Sequence, residues 1–141
     1  LMIRCLRRLR AAGIKTCALT NNFHVKTLPT PQLQAEAEAE RAAFVGEFDC
    51  FIESAVVGIT KPDPRMYRLA LEALSVKPEQ AVFLDDIGAN LKPAREMGIT
   101  TILVKNDSDT SFHSAVAQLA QITGVNLLDE DVLSFRTHGK L

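Results

Sequence analysis

The stretch that most constrains the fold is AVFLDDIGAN, residues 81–90, where an apolar run stops at two adjacent carboxylates, Asp85 and Asp86. Ala81, Val82, Phe83 and Leu84 form the short, continuously apolar run expected of a parallel strand buried on both faces. Open α/β sheets bind ligands just beyond the carboxyl ends of their strands, so the acidic pair stands where a ligand would sit. Two carboxylates there repel each other unless a cation or a lysine lies between them. A hard, oxygen-preferring ion such as Mg²⁺ suits them. The plainer alternative is a surface turn with Asp86 capping the next helix, and the strand–turn–helix context favours the ligand-binding reading.

Other apolar runs repeat the pattern. IKTCAL, residues 14–19, leans to strand and stops at Thr20-Asn21-Asn22, a hydroxyl and amides able to donate to an oxyanion or simply to form a turn. FDCFIES (48–54) and ITTILV (99–104) read as two further strands. Between them fall helices. Residues 1–13 form an amphipathic one with Met2, Leu6 and Leu9 inward and Gly13 as the stop. Residues 23–31, with Pro29 and Pro31, read as a loop before a helix over about 32–45 with a solvated acidic face. Asp63 caps a helix that starts with Pro64 and buries Tyr67, Ala70, Leu71 and Leu74. Lys61 lies on the loop just before that helix, where a cation and backbone N–H groups can meet one anion. The helix after the acidic pair runs to about Met97 and ends at Gly98, with Pro93 tolerable only in its first turn or as a kink. The last helix, about 111–122, turns Phe112, Val116, Leu119 and Ala120 inward and closes at Gly124. Residues 1–128 make one core, and a low-information tail, 129–141, frays after Leu128.

Composition excludes several roles. The 141 residues are 47% hydrophobic and 23% charged with a net charge of −1, which fits one globular domain and lacks the basic excess of a nucleic-acid binder. No apolar run approaches the roughly 20 residues of a membrane span. Cys5, Cys17 and Cys50 are widely spaced among apolar residues and read as reduced core thiols in an intracellular protein. The Asn106-Asp107-Ser108 sequon would matter only on the secretory route. The Arg-rich start resembles a mitochondrial presequence, but the early Gly13 and the strand after it favour a packed helix. Opening on Leu1 rather than Met suggests a segment of a longer protein. Asp107-Ser108-Asp109-Thr110 looks like the start of a calcium loop, yet Phe112 and Gln118 stand where Gly and Glu are needed, so it is expected to cap the last helix. His24, His113 and His138 lack ligand spacing for zinc.

The order αβ(α)βαβαβα predicts an α/β fold with a parallel sheet and right-handed crossovers. That winding puts Thr20, Lys61 and Asp85/Asp86 on one edge of the sheet. A hydroxyl or amide donor, a lysine and a carboxylate pair make a phosphoryl-binding set, since electrostatic clamping supplies most of the catalysis in phosphoryl transfer. A phosphoacceptor receiver domain also uses paired acids, Thr and Lys, but in the reverse order along the chain.

LTNN at 19–22, VGITKPDPRMY at 57–67 and VFLDDIGANLKPAREMGITTILV at 82–104 resemble the haloacid dehalogenase superfamily of aspartate-nucleophile hydrolases. Within it they look closest to the N-terminal phosphatase domain of soluble epoxide hydrolase and the related domain of acyl-CoA dehydrogenase family member ten. The resemblance implies a Rossmann-like, three-layer α/β/α core. It implies that Thr20 and Asn21 hydrogen-bond the transferred phosphoryl group and that Lys61 pairs with nucleophile and phosphate. Asp85 and Asp86 are implied to hold Mg²⁺, and Asn90 to contact ligand or order its loop. The implied substrate is a phosphorylated small molecule or lipid phosphate, and cytoplasm, peroxisome and mitochondrion all fit.

One part is missing from the pattern. The family's first motif, DxDx[TV], lies on a strand before a helical cap and before the motif carried here by Thr20, and residues 1–13 cannot supply it. Asp107 and Asp109 have a similar spacing but follow the last strand. Two readings follow: a Mg²⁺-dependent phosphatase represented by the C-terminal portion of its core, inactive as this chain, or a non-catalytic remnant that binds or scaffolds. In the family's sheet the absent strand lies between the strand ending at Thr20 and the strand ending at Asp85. The chain is therefore expected either to leave a seam there, with a tendency to self-associate, or to close it by pairing those two strands directly.

Overall fold

Local signals start and stop most elements where the sequence indicates. The computed structural model describes residues 2–22, 29–105 and 107–128, apart from the side chain of Asp109. Helix α1 (Met2–Ala11) leads to strand β1 (Cys17–Thr20), helix α2 (Pro31–Val45), strand β2 (Cys50–Glu53) and a short helix α3 (Ser54–Val57). Then come α4 (Pro64–Leu74), a 3₁₀ turn at Pro78–Gln80, β3 (Val82–Asp85), α5 (Gly88–Glu96), β4 (Thr100–Leu103) and α6 (Asp109–Thr123). Asp63 caps α4 by accepting from the Arg65 N–H, and Ser108 caps α6 by accepting from the Ser111 N–H. Gly98, at φ +95°, returns the chain from α5 to β4. Pro93 lies in the second turn of α5 rather than its first. The expected fraying after Leu128, the sequon Asn106, His24, His138 and most of the 23–31 loop lie outside the described residues.

The strands form two separate parallel pairs, β1 with β2 and β3 with β4. Thr20 pairs in register with Glu53, and Asp85 with Leu103. Backbone parity shows which edges stay open. The Thr16 carbonyl accepts from the Cys50 N–H, so Cys17 and Leu19 aim their backbone groups away from β2. The Ala81 and Asp85 carbonyls accept from Thr100 and Val104, so Val82 and Leu84 aim theirs away from β4. Among the described residues β1 and β3 do not pair with each other. Of the two outcomes expected for the absent middle strand, the chain adopts the seam.

Two cores hold these pairs. Met66 and Tyr67 of α4, fully buried, pack with Ile52, Ala94 and Ile99 and with the half-buried Cys17, Leu19, Ala81 and Phe83. Buried large side chains such as Met66, Ile52 and Ile99 each contribute about 2–3 kcal/mol, and the α4 floor spans both sheets. Cys5 and Leu9 of α1, Val116 of α6, Leu127 and Leu128 form the second core.

Three expectations need correction. Met2 is 47% exposed and Cys5 takes its place inside, because the face of α1 turned to α6 carries Cys5 and Leu9, one turn apart. Met66 joins Tyr67 as a principal buried residue of α4, whereas Leu74 is only half-buried. Val82, Phe83 and Leu84 are half-buried rather than buried on both faces, because the seam leaves one side of β3 without a neighbour. All three cysteines are free thiols. Cys17 and Cys50 face each other across β1 and β2, and burial, with the neighbouring Cys50, pushes the Cys17 thiol far above its ordinary range.

Candidate active site

The carboxyl ends of β1, β2 and β3 meet at the loop carrying Lys61. Asn21, just past β1, is spent on that loop: its Nδ2 donates to the Lys61 carbonyl at 2.9 Å, and its Oδ1 accepts from the Lys61 N–H at 2.8 Å. This reciprocal pair imitates a rung of sheet and fixes a loop whose Lys61–Pro62 peptide is cis. The Lys61 side chain runs back across the edge, its Nζ 5.6 Å from the centre of the Phe83 ring. It ends 2.6 Å from Asp85 Oδ2.

Asp85 is the buried centre of the site. Its side chain is 4% exposed and that of Lys61 11%, so the ion pair is largely withdrawn from water. Its other oxygen, Oδ1, accepts from the Ile87 N–H at 2.8 Å and from Asn90 Nδ2 at 3.0 Å. Three donors thus satisfy one carboxylate, as burial of the charge requires. Asn90, buried in the first turn of α5, is held in turn: the Tyr67 hydroxyl donates to its carbonyl at 2.6 Å. Burial, with the Asp85 charge nearby, raises the Tyr67 phenol to about 12, so it stays a donor. Asn90 therefore orders the loop around Asp85. Asp86 is exposed and does not cap α5, whose N-cap is Ile87.

Thr20 sits on the neighbouring strand end. Its hydroxyl donates to Asn22 Oδ1 at 3.2 Å, with the Ile52 carbonyl at 3.5 Å. Asn22 Nδ2 donates to Glu53 Oε1 at 2.6 Å, and Arg41 of α2 pairs with Glu53 Oε2. Hydrogen bonds from Arg41 and then Asn22 hold the Glu53 carboxyl below the usual range. Glu53 and Arg41 stand outside the sequence motifs. Glu53 carried the same signal as Asp85, a carboxylate ending an apolar strand. Arg41 gave none, since its partner lies across the tertiary fold.

The donors Thr20 and Lys61 and the carboxylates Asp85 and Asp86 thus come to one edge, while Asp107 is tied into the start of α6 by Ser111 and Ser108. Among the described residues no three His, Cys, Asp or Glu side chains cluster to hold a metal. The donors at the acidic pair are all oxygen, which suits a hard cation that keeps several waters. No helix among the described residues is long and apolar enough to cross a membrane.

Comparison with known proteins agrees with this geometry. The chain is 40% identical over 135 residues to bifunctional epoxide hydrolase 2 of Sus scrofa, covering 94% of this chain and 22% of that protein. It is 38% identical over 130 residues to acyl-CoA dehydrogenase family member 10 of Mus musculus, covering 89% of this chain and 10% of that protein. The chain thus spans less than a quarter of the length of these relatives. Its fold matches a HAD phosphatase from Thermococcus onnurineus with a TM-score of 0.64 at 22% identity, over 88% of this chain and 57% of that one. The family model for haloacid dehalogenase-like hydrolases matches residues 2–98, more than half of the sequence, and the chain belongs to that family.

Proposed function

We propose that this chain forms the phosphoryl-binding part of a Mg²⁺-dependent phosphatase site that works through an aspartyl-phosphate. The observation that carries the reading is the convergence of Thr20, Lys61 and Asp85 at one strand edge, with Lys61 held at both its backbone and its ammonium. Lys61 supplies the fixed positive charge that a transferring phosphoryl group requires. Thr20 supplies a hydroxyl beside it, and Asn21 and Asn90 act by fixing the Lys61 loop and Asp85. Asp85 and Asp86 would hold Mg²⁺, which when bound offsets the negative charge of the phosphoryl oxygens. The substrate would be a phosphorylated small molecule or a lipid phosphate.

The nucleophile is the part these residues do not provide. Asp85 is pinned by the Lys61 ion pair and two donors on Oδ1, which leaves Oδ2 one lone pair for a cation. Glu53 is held by Asn22 and Arg41, and the lack of a free carboxylate between these two also favours the second reading, a binding module without catalysis. The two readings separate in one assay. This chain alone is expected not to hydrolyse p-nitrophenyl phosphate, while a protein joining it to a DxDx[TV] strand hydrolyses the ester with Mg²⁺ and loses more activity from Lys61→Ala than from Thr20→Ala. Removing the cation leaves buried negative charge uncompensated, which removing a hydroxyl does not. Equal, mild losses in both variants would move the site elsewhere.

A further inference from the structure

We propose that Glu53 is a positioning residue that sets, through Asn22, whether the Thr20 hydroxyl can donate to a bound anion. The inference rests on the phosphoryl-binding reading of the edge and adds a residue outside the motifs that define it. An ionised carboxylate only accepts hydrogen bonds, so the Asn22 carboxamide must turn its Nδ2 to Glu53 Oε1, 2.6 Å away. That leaves Asn22 Oδ1 facing Thr20 Oγ at 3.2 Å. The main chain beneath it is held as well, because Ser54 Oγ donates to the Asn22 backbone carbonyl at 3.0 Å.

Both oxygens beside Thr20 Oγ, Asn22 Oδ1 and the Ile52 carbonyl, are therefore acceptors, and the hydroxyl proton is committed to them. A phosphoryl oxygen arriving at Thr20 is also an acceptor and meets lone pairs. Turning the proton toward it leaves two oxygens 3.2 Å apart with no hydrogen between them, which opposes the turn. Glu53 thus keeps Thr20 from gripping the anion fully and favours its release. A neutral side chain at position 53 can donate to Asn22 Oδ1 instead. The carboxamide then reverses, Nδ2 donates to Thr20 Oγ, and the hydroxyl proton is free for the anion.

The charged group facing Glu53 is Arg41 of α2, so the test uses Glu53→Gln, which keeps the shape and removes the charge. Mg²⁺ with inorganic phosphate is titrated into the chain and into Glu53→Gln, Thr20→Val and the double variant. Glu53→Gln is expected to bind phosphate about tenfold tighter, the worth of one added hydrogen bond to a charged group, and the gain should vanish in the Thr20→Val background. A second readout needs no phosphate. The Asn22 side-chain amide protons should follow the titration of Glu53 in NMR spectra. In Glu53→Gln they should give cross-relaxation to the Thr20 methyl. Phosphate binding that is unchanged or weaker in Glu53→Gln, a gain that survives without Thr20, or Asn22 amide signals indifferent to Glu53 would each overturn the proposal. If no variant binds phosphate while the Asn22 amide still follows Glu53, the positioning role stands and the phosphoryl-binding reading fails.

Discussion

Helices α2 and α4 open with the same local grammar, a capping side chain followed by proline. Thr30 accepts from the Leu33 N–H at 3.2 Å before Pro31, and Asp63 accepts from the Arg65 N–H at 2.9 Å before Pro64. Beyond that turn they diverge. The 15 residues of α2 bury none of their side chains, whereas the 11 residues of α4 bury Met66 and Tyr67 completely. Capping decides where a helix begins, and burial decides which helix carries the fold. Function follows burial: α4 holds the Lys61 loop at its start and Asn90 through Tyr67, while α2 reaches the site edge through Arg41 on Glu53.

The sharpest way to break this contrast is to truncate one residue in each helix. Tyr67→Ala removes a buried ring that meets Phe83 edge-on at 5.3 Å and a hydroxyl bonded to Asn90. It is expected to cost about 3–5 kcal/mol, a large share of the roughly 5–15 kcal/mol that holds a domain folded. Ala39→Gly, on the exposed face of α2, should cost about 1 kcal/mol. Urea denaturation followed by circular dichroism measures both, and comparable losses would show that α2 is packed as tightly as α4.

A smaller difference separates the two ion pairs at the site. Lys61→Ala strands the buried Asp85 carboxylate with two of its three donors and should cost about 3 kcal/mol. Arg41→Ala leaves Glu53 bonded to Asn22. Because the Arg41 side chain is 49% exposed, its loss should cost no more than about 1 kcal/mol. The same denaturation series checks both, and an Arg41 effect as large as that of Lys61 would make α2 part of the site's foundation.

The contrast also explains what could be read from the residues alone. Capping and breaking signals are local, so Asp63-Pro64, Ser108, Gly98 and Gly124 marked helix ends without knowledge of the fold. The alternation of strands and helices brought Thr20, Lys61 and Asp85 to one edge, because parallel winding leaves little choice of side. Burial depends on neighbours distant in sequence. The face that α1 turns to α6 exchanged Met2 for Cys5, and the seam left Phe83 and Leu84 half-covered although their run reads as fully buried. Side-chain partnerships were the least legible. Asn21 looked like a ligand contact, yet its amide is occupied by the Lys61 backbone, a match that depends on a loop 40 residues away.

The finest distinction between the two helices is that only one cap titrates. Hydrogen bonds from Arg65, side chain first and then backbone, hold the Asp63 carboxyl down at about 2, below the roughly 3.9 of an unfolded aspartate. A group whose folded value is depressed stabilises above its unfolded value. That contribution falls away as the pH drops from about 4 to about 2, when the carboxylate takes up a proton in both states. Thr30 has no ionisable group, so the start of α2 is indifferent to the same change. Other carboxylates, Glu47, Asp49 and Glu53 among them, are also held low and add their own loss of stability on acidification, so the reference is Asp63→Asn, which caps without titrating. The stability difference between the native chain and Asp63→Asn should shrink as pH falls from 4 to 2, whereas the difference caused by Thr30→Ala should stay level. Because Asp63 lies at the surface, the effect is small and should fade further in high salt. A difference between the native chain and Asp63→Asn that stays flat across the window would mean that the Arg65 contact does not hold in solution, and the two helix starts would then be equivalent.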